Sequence, residues 1–239
     1  MHTQMAGLEV EIFQQTPGTP RGCVVLCHGF GASGHDLVGL APYLVEKHPA
    51  LADVRFVFPA GLLSLGELGW GDARAWWMID MAAIQQLQSK PDALREFRKL
   101  EPDGMAAARK AVHALVMAVA DTTKLPMSKI VLGGFSQGAM ITTDVALRLE
   151  EAPAGLVTLS GTLLLEDTWR AKAKARAGLH VLQSHGRQDP VLPFIAAEWL
   201  AELMRDAGMQ HEFVPFAGGH TIPDGVLQKL GTFLEGRLA

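Results

Sequence analysis

Short apolar runs that alternate with stretches of helical periodicity leave few folds open to this sequence. Residues 23–27 are continuously apolar, as a strand covered on both faces is. From Asp36 onward, Leu37, Leu40, Ala41, Leu44 and Val45 fall on one helical stripe. Residues 54–58 read as a strand ended by Pro59, and Met105, Ala108, Val112, Leu115, Val116 and Val119 form a second helical face. A strand at 130–134 precedes a helix at about 137–149, and two further apolar strands are expected at 155–160 and 179–184. A helix at about 193–207 carries Ile195, Trp199, Leu200, Leu203 and Met204 on one side, with Gly208 as its stop. The last strand, 211–216, is followed by a helix with Pro223 in its first turn and Val226, Leu227, Leu230, Phe233 and Leu234 along its face. Leu8–Phe13 alternates apolar with polar residues and is expected to be a half-exposed edge strand. Such alternation implies one α/β domain: a mostly parallel sheet with helices on both faces.

The segment between Pro59 and Met105 breaks the pattern. It is long for a connection in a compact domain and contains no recognisable strand. Its second half, 80–100, has helical spacing through Met81, Ile84, Leu87, Leu94 and Phe97, interrupted at Pro91. The first half is glycine-rich and apolar. Residues 61–104 are therefore expected to form a lid or a pocket wall.

The chemistry begins at Gly134-Phe-Ser136-Gln-Gly138, which follows a strand and opens a helix. On that sharp turn a serine stands exposed above the sheet, and the flanking glycines leave room for the tight backbone. The unpaired N–H groups of a helix start also favour the negative charge that develops there. A nucleophilic serine needs a base, and the base an orienting carboxylate. Asp189 lies on the loop after the 179–184 strand, and His220 follows the last strand on a Gly-Gly turn. Both therefore reach the sheet edge that carries Ser136. Asp144 lies within the nucleophile's own helix, Asp167 and Asp206 sit in helical surroundings, and Asp224 suits the first turn of the last helix.

An acyl-transfer site also needs two N–H donors for the developing oxyanion. The residue after the nucleophile, Gln137, supplies one; the loop His28-Gly-Phe30-Gly31 supplies the other, through the Phe30 backbone. His28 and His185 are expected to hold their loops rather than to move protons.

Rival readings have less in their favour. Gly29-Phe-Gly31-Ala-Ser-Gly34 matches a dinucleotide fingerprint, but Glu46 and Asp53 do not clearly close a second strand, and the Ser, Asp and His loops would go unexplained. The nine histidines show no metal-ligand spacing, so no metal is expected. A net charge of −4 without a basic cluster excludes a nucleic-acid footprint. No apolar stretch approaches the roughly 18 residues a membrane span needs, and no signal-peptide pattern opens the chain. Cys23 and Cys27, four strand steps or roughly 13 Å apart, cannot form a disulfide, which favours a reducing cytoplasm.

Taken with their order and spacing, HGFGASG at 28–34, AWWMID at 75–80, LGGFSQGAM at 132–140, LSG at 159–161, HGRQDPVLP at 185–193 and GGHTIP at 218–223 resemble the carboxylesterase, lysophospholipase and acyl-protein thioesterase family of α/β-hydrolases. The resemblance runs from about residue 23 to the end. It implies an α/β-hydrolase fold with an antiparallel N-terminal edge strand, a Ser136–Asp189–His220 triad, oxyanion donors at Phe30 and Gln137, no cofactor, a small-molecule acyl ester or thioester as substrate, and a homodimer as a common assembly. By the same resemblance Leu62, Leu63, Trp76, Trp77 and Leu192 line the acyl pocket, one tryptophan buried and the other facing substrate. The triad alone also suits an amidase or peptidase, and the fold alone a binding module without catalysis.

Overall fold

In a computed structural model, which describes residues 1–80 and 91–238, the strands form an eight-stranded sheet and a two-stranded one. The large sheet comprises β1 (His2–Met5), β2 (Leu8–Phe13), β3 (Gly22–Cys27), β4 (Val54–Pro59), β7 (Ile130–Phe135), β8 (Gly155–Leu159), β9 (His180–Gly186) and β10 (Gln210–Phe216). Its order is β1-β2-β4-β3-β7-β8-β9-β10, antiparallel where β1 meets β2 and β2 meets β4, and parallel at every later pairing. The expected edge position of Leu8–Phe13 is corrected: β1 covers it. A two-residue turn with Ala6 and Gly7 at positive φ joins the two strands.

Helices cover both faces. On one side α3 (Met105–Thr123), α4 (Gln137–Arg148), α5 (Glu166–Ala173) and α6 (Phe194–Asp206) pack with Val25, Leu132, Leu156 and Val181. On the other, α1 (Leu40–Lys47) and α7 (Asp224–Leu238) pack with Val24, Leu26, Val131, Val157 and Leu182. Consecutive strand residues thus feed opposite cores, which is why the runs are apolar throughout. Of the α6 stripe, Leu200, Leu203 and Met204 are buried and Trp199 is partly so, but Ile195 is 43% exposed. The helix buries Ala196 and Ala197 instead.

The long connection does contain strands: β5 (Leu63–Ser64) and β6 (Arg74–Ala75) pair as a small hairpin. Beyond it, α2 (Pro91–Phe97) packs Leu94 against Ala196 of α6. The expected helical residues Met81, Ile84 and Leu87 lie outside the described residues.

Candidate active site

Ser136 occupies the turn between β7 and α4 with φ +54° and ψ −118°, a conformation that a residue with a side chain adopts at a cost. Its N–H donates to the Leu159 carbonyl (2.8 Å), and its own carbonyl accepts from the Met140 N–H of α4 (3.2 Å). The flanking glycines exist because backbones cross here. A methyl at Gly134 would sit 2.6 Å from the Cys27 oxygen, and one at Gly138 would sit 2.5 Å from the His28 oxygen. The turn is therefore pressed directly onto the end of β3 and the loop that follows it.

Asp189 and His220 meet. The Asp189 carboxylate accepts from the His220 Nδ1–H at 2.6 Å through one oxygen. Its other oxygen accepts the backbone N–H groups of Val191 (2.8 Å) and Leu192 (2.9 Å). Burial alone would raise this carboxyl's pKa, but the imidazole and the two amides outweigh it and hold the group below the usual carboxylate range. The carboxylate is thus ionised and fixed, which leaves His220 Nε2 as the open end of the ring. The loops that carry the pair are bound together: Arg187 N–H donates to the Phe216 carbonyl, Gln188 N–H to the Gly218 carbonyl, and Gly218 N–H to Gln188 Oε1 (2.7 Å). The His220 ring packs on Phe135, the residue before the serine, with centroids 4.7 Å apart.

The other two histidines near the site are buried and each is bonded to its own loop. His28 donates from Nδ1 to the Gly29 carbonyl (2.7 Å) and accepts the Gly61 N–H at Nε2 (2.9 Å), so no lone pair remains to take a proton. His185 donates from Nε2 to the Leu192 carbonyl (2.9 Å) and holds the acid loop. Burial lowers the pKa of both, keeping them neutral.

Ser136, Gln137, His220 and Phe30 line one cavity of about 740 Å³. Its apolar wall comes from Trp77, Met78 and Ile79 after β6, and from Phe97 and Leu100 at the end of α2. Met140, one turn along α4 from the serine, and Leu192 of the acid loop extend it, and the lining also includes Leu164 and the acidic residues Asp80, Glu96, Glu101 and Asp103. A smaller cavity of about 200 Å³ beside Glu9, Glu11 and Arg74 contains no residue of the proposed triad.

The expected pocket set needs correcting. Leu192 and Trp77 line the cavity, but Leu62 and Leu63 face solvent on the hairpin, each 37% exposed. Trp76 is 1% exposed and packs in the core, its indole N–H donating to the His28 carbonyl (3.0 Å). Within the 61–104 segment the wall instead uses 77–80 and residues between 93 and 103. Met140 is legible in retrospect as the residue four beyond Ser136, one helical turn along. Among the described residues no group of histidine, cysteine or acidic side chains is arranged to hold a metal ion.

A parallel sheet flanked by helices, with a serine at a strained strand-to-helix turn and a histidine–carboxylate pair opening into the same cavity, defines the α/β-hydrolase class of acyl-transfer enzymes. The model of the phospholipase/carboxylesterase family matches residues 11–238, and the chain belongs to that family. It is 27% identical over 219 residues to the acyl-protein thioesterase 1 of Gibberella zeae, an alignment covering 90% of each chain. The Kluyveromyces lactis acyl-protein thioesterase 1 is 31% identical over 177 residues, 72% of each. Among solved structures, esterase PE8 superposes with a TM-score of 0.81 at 27% identity, covering 97% of this chain and 99% of that one. A carboxylesterase from Mesorhizobium loti shares the fold, with a TM-score of 0.73 at 19% identity and coverage of 98% and 97%.

Proposed function

We propose that this hydrolase cleaves carboxylic esters or thioesters of apolar acyl groups through an acyl intermediate on Ser136, with His220 as the base and Asp189 as its anchor. The observation that carries this reading is the 2.6 Å contact between His220 Nδ1 and an ionised Asp189, opening into the apolar cavity that Ser136 also lines. His220 takes the hydroxyl proton as the oxygen attacks the carbonyl carbon. The backbone N–H groups of Phe30 and Gln137 receive the oxyanion, and α4 begins at Gln137, where its unpaired amides concentrate positive potential. The proton passes to the departing alkoxide or thiolate as the tetrahedral adduct collapses. Water then attacks the acyl-serine through the same base and releases the acid.

The acyl group lies against Trp77, Phe97 and Met140 in this reading, since apolar area rather than charge dominates the wall. Buried free thiols at Cys23 and Cys27, the former pushed up to about 11 by burial, support residence in a reducing cytoplasm.

Ser136→Ala should lower turnover of acyl esters by on the order of 10⁴ to 10⁶ while leaving the fold intact. Near-native esterase activity in that variant would remove Ser136 as the nucleophile. Rates on a panel of esters, thioesters and peptide amides carrying the same acyl group distinguish an esterase from an amidase with the same triad.

A further inference from the structure

Trp76, expected at the pocket, lies instead between the two elements that carry the proposed oxyanion donors. Its backbone N–H donates to Gln137 Oε1 (2.9 Å), and its indole N–H donates to the His28 carbonyl (3.0 Å). Gln137 is fully buried and its amide is doubly used, since Nε2 donates to the Trp77 carbonyl (2.8 Å). One residue thereby grips the start of α4 at Gln137 and the loop after β3 at His28, two residues before Phe30. Further contacts hold that loop to the same segment. Gly31 N–H donates to the Arg74 carbonyl and Arg74 N–H to the Ala32 carbonyl, both at 2.9 Å, while the His28 ring accepts the Gly61 N–H.

We propose that Trp76 is a positioning residue of the oxyanion hole: by tying Gln137 to the His28–Phe30 loop it sets the spacing of the two donor N–H groups. This rests on the acyl-transfer reading above. An oxyanion interacts strongly with donors held at fixed positions near 2.7–3.1 Å, and a displacement of about 1 Å costs on the order of a hundredfold in rate. Trp76 does not line the cavity, so in this arrangement it acts through the spacing of the donors.

The test compares Trp76→Phe, which keeps a ring and removes the indole N–H donated to His28, with Gln137→Met, which keeps the side-chain length and removes both the acceptor of the Trp76 N–H and the donor to the Trp77 carbonyl. Rates are expressed per active site titrated with a fluorophosphonate, so that misfolded protein does not count. Each variant should lose roughly 10- to 100-fold in kcat, equally for short and long acyl esters, with KM within about twofold. Affinity for a trifluoromethyl ketone, whose serine hemiketal carries the oxyanion, should fall by the same factor as kcat/KM. The double variant should lose little more than either single one, because the two contacts act in series and losing either end opens the same bridge. If Trp76→Phe does not fold, the Gln137→Met result decides alone.

Wild-type rates per titrated site in both variants, or a change confined to KM and chain-length preference, would overturn the proposal. Unchanged ketone affinity alongside reduced kcat would do the same, since the loss would then not lie in the oxyanion hole. Failure of the wild-type protein to label at Ser136 overturns the acyl-transfer reading itself, and with it this one.

Discussion

Replacing Gly138 by alanine adds a single methyl group at the point where the serine turn presses on the end of β3. That methyl would lie 2.5 Å from the Cys27 carbonyl carbon and from the His28 oxygen, and closer still to the Cys27 oxygen. Carbon atoms settle at about 3.5 Å or more, so the start of α4 and the Cys27–His28 strand end must separate by about 1 Å. Those are the two elements that carry the proposed oxyanion donors, one at Gln137 and one at Phe30. A misplacement of that size costs roughly a hundredfold in rate, whereas overpacking of one methyl costs about 1–3 kcal/mol of stability. Gly138→Ala should therefore fold and label with a fluorophosphonate, yet turn over acyl esters about a hundredfold more slowly per labelled site. Urea unfolding monitored by circular dichroism gives the stability loss separately. A kcat/KM within threefold of wild type, with the protein fully labelled, would refute the claim that this contact sets the donor geometry.

Two further expectations concern stability. Asp144, fully buried on α4, accepts from Arg109, from Arg148 Nε (2.9 Å) and from Trp169 Nε1 (2.8 Å), joining α4 to α3 and α5. Asp144→Ala leaves the Arg148 guanidinium and a buried indole N–H without this acceptor, and Arg109 with Glu101 only (2.6 Å), and should cost about 3–5 kcal/mol in urea unfolding; a loss below 1 kcal/mol would contradict it. His211 is held neutral by burial and by Arg205, its pKa lowered to about 4, while Nε2–H donates to Gln183 Oε1 (2.8 Å). The unfolded chain binds this proton near 6.5, so the stabilisation is complete above that pH and is lost as pH falls towards 4. The effect is about 1–3 kcal/mol for a partly buried ring, and His211→Gln should flatten that part of the stability curve.

Much of this architecture was legible because buried parallel strands must be apolar on both faces and amphipathic helices must repeat. The runs at 23–27 and 130–134 left little choice. β1 escaped because His2-Thr-Gln-Met5 has no apolar alternation. The β5–β6 hairpin is too short for periodicity to register. Asp189, His220 and Ser136 could be placed at one sheet edge by chain order and strand direction, which is topology rather than side-chain detail. The pocket needed that detail. Trp76 and Trp77 sit at a bend just after β6 and both pack into the same core, Trp77 also lining the cavity, and which of them reached it depended on how the segment crosses the sheet. For the same reason the double grip of the Gln137 amide had no trace in the sequence: its partners are backbone groups about sixty residues away.

The positive φ of Ser136 has a consequence of an evolutionary kind. A residue with a Cβ in such a conformation holds about 1–3 kcal/mol of strain that glycine would release. The molecule is thus less stable than its own backbone permits at the one position where its proposed reaction starts. A descendant no longer selected to cleave anything would gain by carrying glycine at 136, and its drift would be towards a sturdier and silent protein.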